Sequence, residues 1–246
     1  MGYHESLTEG RNAVLEAFRS GKTVDRLFVL DGCQDGPVKT ILREAKKQDT
    51  MVQYVKKERL DQLSETKNHQ GVIAYCAACE YAEVSDILEN AKKKGEAPFI
   101  VLLDGIEDPH NLGAIIRTAN QAGAHGVIIP KRRAVGLTAT VARTSAGAVN
   151  YTPVAKVTNL VTVMEDLKKE GMWFVCADMD GEEMYSLNLK GPIGLVIGNE
   201  GEGVSRLGKE HCDMVASIPM KGDIDSLNAS VAMGVLAYEI VRQRRF

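Results

Sequence analysis

The sequence has 246 residues, of which 44% are hydrophobic and 26% are charged, the composition of an ordinary globular protein. Its 30 Lys and Arg against 33 Asp and Glu give a net charge of −3, which excludes a generally cationic nucleic-acid-binding surface. Contact with RNA or DNA would need a local basic patch. No apolar run approaches the ~20 residues that span a bilayer, and the N-terminus lacks the apolar core of a signal peptide. Five cysteines do not form a disulfide framework here, so we expect a cytoplasmic protein without a membrane segment.

The first part of the chain, residues 1–79, alternates helical and strand patterns and predicts a small α/β domain. Helices are predicted over Asn12–Ser20 and from Pro37, and strands over Arg26–Leu30, Met51–Val55 and Val72–Ala77. The next segment, residues 80–97, is charged and carries only a short apolar pattern, which predicts a linker containing one helix.

A second α/β domain, residues 98–246, begins with the continuous apolar run FIVLLD, typical of a strand buried on both faces of a parallel sheet. A helix is predicted over Asn111–Gly123 and another over residues 226–242. Further strands are predicted over Gly126–Ile129, Trp173–Ala177, Ile193–Ile197 and Met214–Ile218. This alternation favours a doubly wound sheet that binds ligands at the carboxyl ends of its strands.

Three loops after predicted strands carry the unusual residues. In residues 102–124, a polar turn leads into the helix of Asn111 and Arg117, and Gly113 is expected to leave the helix surface open beside Arg117. An N-cap Asn and an ordinary surface Arg explain the same pattern. The Rossmann and P-loop glycine patterns are absent, so dehydrogenase and NTPase functions lose their usual support.

The second loop, in residues 193–204, joins a buried strand to a glycine-rich stretch that contains Asn199, Glu200 and Glu202. Glycines permit positive φ and close approach of a ligand to the backbone. The acidic side chains disfavour a phosphate and suit a neutral or cationic ligand, such as a sulfonium.

The third loop, in residues 216–241, runs from Ile218-Pro219 to Ser226-Leu227-Asn228, where a helix is predicted to begin. Ser226 is either functional or only an N-cap, and Asn228 is either functional or only a polar residue of the first turn. The helix beyond is apolar or small on nearly every side, which predicts burial on two sides, one of them against a second copy of the chain.

Together these loops resemble the three motifs of the SpoU/TrmH family of SPOUT-class RNA ribose 2′-O-methyltransferases. Asn111-Leu-Gly to Arg117-Thr is similar to motif 1, Ile197-Gly-Asn-Glu-Gly-Glu-Gly203 to motif 2, and Ile218-Pro-Met to Ser226-Leu-Asn-Ala-Ser-Val-Ala232 to motif 3. Upstream, Gly10-Arg-Asn-Ala-Val and Asn68-His-Gln-Gly-Val resemble the substrate-binding domain that many members carry. The whole chain is most similar to the RlmB type, which methylates a guanosine in the peptidyl-transferase region of 23S rRNA.

The resemblance implies a SPOUT-type parallel sheet with a deep trefoil knot, and an N-terminal α/β domain resembling a ribosomal protein. It also implies an obligate homodimer in which each site is completed across the interface. The implied cofactor is S-adenosyl-L-methionine, bound largely through backbone groups of Gly198, Ile218 and Leu227, with Glu200 and Met220 close by. No metal is expected, since none of the five histidines has ligand spacing.

The resemblance also assigns roles to site residues. Arg117 is implied to bind the ribose or phosphate and to stabilise the developing alkoxide, because arginine is a poor base. Asn111, Ser226 and Asn228 are implied to orient Arg117 and the 2′-hydroxyl, and Glu200 to pair with Arg117 or to orient another motif residue. For RNA contact, the candidates are Arg11, Asn12 and His69 in the N-terminal domain.

Two alternatives stay open. One is tRNA or another rRNA site as the substrate, although the extra N-terminal domain favours rRNA. A catalytically silent RNA-binding assembly factor would keep the fold, but the intact motif residues argue against it.

Overall fold

A computed structural model describes residues 6–223 and 226–246, which form two compact units. The first unit contains residues up to Glu80 together with Gly136–Thr140, and the second contains Tyr81–Val135 and Val141–Phe246.

The first unit is a four-stranded sheet with helices packed on it. The strands are β1 (Ser6–Glu9), β2 (Val24–Leu30), β3 (Met51–Val55) and β4 (Val72–Cys76), in the order β1-β4-β2-β3. β2 and β3 are parallel, and the other pairs are antiparallel. The helices are α1 (Arg11–Arg19), α2 (Gly36–Lys47) and α3 (Lys57–Leu63). The core between α1, α2 and the sheet is fully buried at Val14, Leu27 and Ile41.

The second unit is a six-stranded parallel sheet in the order β10-β8-β9-β5-β6-β7. Its strands are β5 (Phe99–Asp104), β6 (Gly126–Pro130), β7 (Val154–Val157), β8 (Trp173–Glu183), β9 (Ile193–Gly198) and β10 (Met214–Ser217). Its helices are α4 (Val84–Lys94), α5 (Pro109–Gln121), α6 (Ala139–Thr144, of which residues 139 and 140 are counted with the first unit), α7 (Leu160–Lys169), α8 (Arg206–Glu210) and α9 (Ala229–Arg245), with a 3-10 turn at Ala148–Asn150. The predicted α/β class with a parallel sheet is confirmed.

The helix expected inside the linker is α4, and it packs on the second sheet. Ile87 is fully buried against Ile100 in the core of that unit. Gly126 makes this packing possible, because a Cβ there would lie 2.5 Å from the Ile87 side chain. Residues 84–94 therefore contribute to the core of the second unit.

Helix α5 is held by two close contacts. A Cβ on Gly113 would lie 1.8 Å from Thr144 Oγ1, so this glycine seats α5 against α6. The expectation that Gly113 leaves the surface open beside Arg117 is wrong, since the position is buried by Thr144. On another face, Gly234 of α9 approaches Thr118, to which a Cβ would make an ordinary 3.4 Å contact.

Buried polar groups secure the amino edge of the second sheet. His125 is fully buried; its Nδ1 accepts the Phe99 N–H at 3.0 Å, and its Nε2 lies 3.1 Å from the Glu96 carboxylate. Burial lowers the pKa of His125, and the accepted bond at Nδ1 requires the neutral ring. Arg244 of α9 donates to the carbonyls of Pro98 and Gly191 at 2.9 and 2.7 Å.

Candidate active site

Three polar side chains meet at the carboxyl edge of the second sheet. Asn111 lies in the first turn of α5, Glu200 follows β9, and Asn228 precedes α9. The Asn111 Nδ2 group donates to Glu200 Oε1. Asn228 Nδ2 donates to the same Glu200 oxygen at 2.8 Å and to Asn111 Oδ1 at 3.0 Å. We call these three residues the Asn–Glu–Asn cluster; it joins one residue from each sequence motif.

Helix capping fixes both asparagines. Asp108 caps α5 by accepting the His110 N–H at 2.9 Å, and Pro109 supplies the first helical residue. Asn111 follows within the same turn and is 7% exposed. Asn228 is itself the N-cap of α9, because its Oδ1 accepts the Ser230 N–H at 3.0 Å. The side-chain amide of Asn228 therefore stays free to reach the cluster.

The loop that carries Glu200 is shaped by Asn199, which sequence reasoning noted but did not assign to the site. Asn199 Oδ1 accepts the N–H groups of Gly201 at 2.9 Å and Glu202 at 2.7 Å. Its carbonyl accepts the Gly203 N–H at 3.0 Å. The sequence signal for this role is an Asn inside a glycine-rich stretch, because an Asn side chain can accept nearby backbone N–H groups and close a local turn.

Glycine is required at Gly198, the last residue of β9. A Cβ there would lie 1.9 Å from the Gly203 carbonyl carbon and 2.1 Å from Val204 N. The loop thus folds back directly onto the strand end, and no other residue leaves room for that approach.

Asp104, at the end of β5, is a second residue that the sequence analysis missed. Its carboxylate accepts the Ser205 N–H at 2.9 Å. Ser205 in turn caps α8, where its Oγ accepts the Gly208 N–H at 3.2 Å. The far end of the Glu200 loop is thereby attached to the central strand of the sheet.

Arg117 is not hydrogen-bonded to the cluster. It is exposed on α5, and its side chain has neither a hydrogen bond nor an ion pair to any residue in 6–223 or 226–246. Glu200 instead bonds to the two asparagines. Of the two expected roles for Glu200, orientation of other motif residues is the one that fits a single chain.

The residues implied to bind the cofactor flank the same edge. Gly198 is buried at the end of β9, Ile218 and Leu227 are half-buried, and Met220 is 40% exposed. The segment 218–228 connects the outer strand β10 to α9, with residues 224 and 225 outside the described ranges. Ser226 is exposed and makes no hydrogen bond to a described residue. Half-exposed apolar side chains beside a carboxylate suit a cationic ligand with apolar parts.

In the first unit, the predicted RNA-contact residues differ in their surroundings. Arg11 pairs with Asp35 at 2.7 Å and donates to the Gln70 carbonyl at 3.0 Å. Asn12 is exposed. His69 is 7% exposed, and its ring nitrogens lie 3.0 Å from the Asp61 carboxylate and from the Gly71 N–H. The ring of His69 therefore supports the loop before β4, and its part in RNA contact stays a prediction.

Neither a metal cluster nor a membrane helix is found in the part of the chain that the structure describes. Among those residues, His, Cys, Asp and Glu form no group of three or more that would hold a metal ion. No helix there combines the length and apolar character needed to cross a membrane.

Comparison with known families matches both units. Residues 98–238 match the SpoU rRNA Methylase family, and residues 7–82 match the RNA 2'-O ribose methyltransferase substrate binding family. The chain is 48% identical over 237 residues to YacO of Bacillus subtilis, which is assigned to the TrmH family of tRNA/rRNA methyltransferases. That match covers 96% of this chain and 94% of YacO.

Two solved structures extend the comparison. An AdoMet-bound rRNA methyltransferase from Sinorhizobium meliloti has a TM-score of 0.60 and 25% identity, covering 96% of this chain and 86% of that chain. The TrmH/SpoU tRNA modifying enzyme of A. aeolicus has a TM-score of 0.56 and 28% identity. The latter match covers 84% of that enzyme but only 65% of this chain.

Proposed function

The chain belongs to the SpoU rRNA methylase family, and we propose that it transfers the methyl group of S-adenosylmethionine to the ribose 2′-oxygen of a guanosine in 23S rRNA. The observation that carries this proposal is the Asn–Glu–Asn cluster, which brings all three family motifs together at the carboxyl edge of the sheet. Ligands of doubly wound sheets bind at that edge.

The cofactor is S-adenosylmethionine, which supplies an electrophilic methyl group on a sulfonium. Backbone groups of Gly198, Ile218 and Leu227 would hold it, with Met220 and the loop organised by Asn199 beside it. Glu200 adds a negative charge, and each asparagine of the cluster donates a side-chain N–H to the Glu200 carboxylate. The surroundings therefore favour a cationic ligand over an anionic one.

A 2′-hydroxyl is a weak nucleophile until its proton passes to solvent water, so the site needs a group that stabilises the alkoxide. We assign this to Arg117, whose guanidinium has five N–H donors and no hydrogen bond or ion pair to any described residue. Asn111 and Asn228, fixed by Glu200, orient the ribose. Ser226, beside Asn228, presents a further hydroxyl to the substrate.

Among the described residues, the Arg117 side chain makes no hydrogen bond or ion pair with the cluster of its own chain, which supports a homodimer in which Arg117 serves the partner's site. Helix α9 offers a surface for this pairing. Val231 and Tyr238, seven residues apart on one face, are 50% and 51% exposed. Exposed apolar side chains of this kind are typical of an interface. The trefoil knot implied by the family is part of the same proposal.

The two-unit architecture supports rRNA over tRNA as substrate. The S. meliloti rRNA enzyme covers nearly the whole chain, whereas the A. aeolicus tRNA enzyme leaves about a third of it unmatched. We assign RNA binding to the first unit, with Arg11 and Asn12 on its surface. RNA as substrate is consistent with action in the cytoplasm.

The test is methyl transfer from labelled S-adenosylmethionine into separated rRNA and unmodified tRNA, followed by nucleoside analysis. We expect 2′-O-methylguanosine in 23S rRNA. Label in tRNA would keep the reaction and change the substrate. Cofactor binding without label in any RNA or precursor particle would contradict the assignment as an enzyme and favour a silent assembly factor.

A further inference from the structure

The loop after β6 is fastened to its neighbours at both ends. The Lys131 N–H donates to the Val157 carbonyl at 2.8 Å, and the Val135 N–H donates to the Ile106 carbonyl at 3.0 Å. Ala134 is buried between these points, at 8% exposure. The loop is therefore rigidly attached, and its tip has a fixed position on the second unit.

Two adjacent arginines occupy the tip. Arg132 and Arg133 are both exposed, and neither has a hydrogen bond or ion pair to any residue in the described ranges 6–223 and 226–246. Arg133 has φ of 53°, a left-handed conformation that non-glycine residues adopt rarely and at an energetic cost. Two like charges side by side on a strained, anchored turn indicate a function beyond solubility.

This tip lies on the same edge as the Asn–Glu–Asn cluster. β6 is parallel to β5, so the segments that follow them leave the sheet at a common edge. Ile106, which accepts the Val135 N–H, belongs to the segment that joins β5 to α5 and its Asn111. The loop of the two arginines is thus bonded directly to the segment that carries the first motif.

The cluster itself lacks a group for binding a phosphate, since its only charge is the carboxylate of Glu200. An RNA substrate brings one negative phosphodiester with every ribose, and arginine binds phosphate oxygens through two parallel N–H donors. We propose that Arg132 and Arg133 bind the phosphodiesters next to the target ribose and so position the RNA strand on the catalytic unit. This inference rests on the proposed RNA methyltransferase function.

The experiment compares Arg132→Gln/Arg133→Gln with a matched control, Lys92→Gln/Lys190→Gln. The control removes two exposed positive charges from segments that precede β5 and β9, at the opposite edge. For each full-length protein we would measure affinity for a 23S rRNA fragment from the peptidyl-transferase region, at several salt concentrations. Steady-state methyl transfer and calorimetric binding of S-adenosylmethionine complete the set.

We expect the arginine variant to lose RNA affinity about tenfold or more, with a salt slope reduced by about 1.4 for two single-stranded phosphate contacts. KM for RNA rises, while affinity for S-adenosylmethionine equals that of the wild type. The lysine variant should keep the wild-type RNA affinity and slope. Equal losses in both variants, unchanged RNA binding in the arginine variant, or weakened cofactor binding would each overturn the inference.

The two proposals fail in different ways. A wild-type protein that binds RNA through Arg132 and Arg133 but transfers no methyl group to any RNA would overturn the proposed function alone. Methyl transfer by the wild type with an unaffected arginine variant would overturn this inference alone. A wild type that binds no RNA would overturn both.

Discussion

Gly113→Ala places two physical effects in opposition. In a helix interior, Ala is more stable than Gly by about 0.5–1 kcal/mol. The new Cβ, however, would lie 2.7 Å from the Cβ of Thr144 and 3.0 Å from the Ser145 backbone nitrogen. Carbon atoms pack at ~3.5–4.0 Å, so α5 and α6 must separate by about 1 Å. Rotation of Thr144 moves its hydroxyl away, but it cannot move these two atoms.

Overpacking of this kind costs typically about 1–3 kcal/mol, which exceeds the gain in helix propensity. We expect a net loss of about 1–2 kcal/mol, equivalent to a Tm lower by roughly 2–8 °C. Because Asn111 lies two residues away, affinity for S-adenosylmethionine should fall as well. The measurements are thermal unfolding by circular dichroism and calorimetric cofactor binding.

Gly234→Ala is the matched control, since Gly234 lies in the interior of α9 and faces α5 without a close contact. Its Cβ would make an ordinary 3.4 Å contact with Thr118, so the propensity gain remains and Tm should rise by roughly 1–4 °C. If Gly113→Ala proved as stable as the wild type, the account of close α5–α6 packing would be refuted.

Three further predictions concern single residues. Glu200→Gln should lower kcat at least tenfold while the protein stays folded. The side-chain amides of Asn111 and Asn228 lose a charged acceptor, and a hydrogen bond to a charged group is worth about 1.5–3 kcal/mol. A variant with the kcat of the wild type would contradict this prediction. Asn199→Ala should weaken S-adenosylmethionine binding, measured by calorimetry, because the N–H groups of Gly201 and Glu202 lose their acceptor. Unchanged affinity would show that this loop conformation is not needed for cofactor binding. In the folded protein the pKa of His125 lies below the ordinary value of 6.5. Below pH 6.5 the unfolded chain therefore binds a proton at His125 that the folded protein does not bind. The contribution of His125 to stability is complete above pH 6.5 and falls as the pH drops below 6.5. Urea unfolding at pH 7.5 and 5.5 should show this loss in the wild type and a smaller one in His125→Gln; an NMR titration of His125 near 6.5 would refute the assignment.

The central strands could be predicted from the sequence because burial on both faces leaves an unbroken apolar run. FIVLLD is β5, with the predicted bounds, and Ile193–Gly198 exceeds its prediction by one residue. Two short edge strands, Ser6–Glu9 and Val154–Val157, were not predicted. Each has four residues, too few for a periodicity to emerge, and only their pairing with longer neighbours makes them strands.

The sequence predicts where the candidate site lies, but not which hydrogen bonds join its residues. Polar residues after parallel strands must share an edge, which brings Asn111, Glu200 and Asn228 together. The sequence predicted Ser226 as the N-cap and Asn228 as a residue of the first turn, but α9 begins at Ala229, so Asn228 is the cap. Gly113 shows the same limit. A glycine in a helix indicates close packing or open surface equally well, and its neighbour Thr144 is 31 residues away in the chain.

The Asn–Glu–Asn cluster also bears on how fast the protein folds and unfolds. Asn228 bonds to a residue 117 positions earlier, and Asn111 to one 89 positions later. Contacts between such distant segments form only after large loops have closed, so we expect the cluster to be completed late, after the folding transition state. A ligand held there stabilises contacts that are absent from that state. S-adenosylmethionine should therefore slow unfolding in proportion to its occupancy while leaving the refolding rate unchanged, so that the cofactor pool of the cell sets the lifetime of the native enzyme.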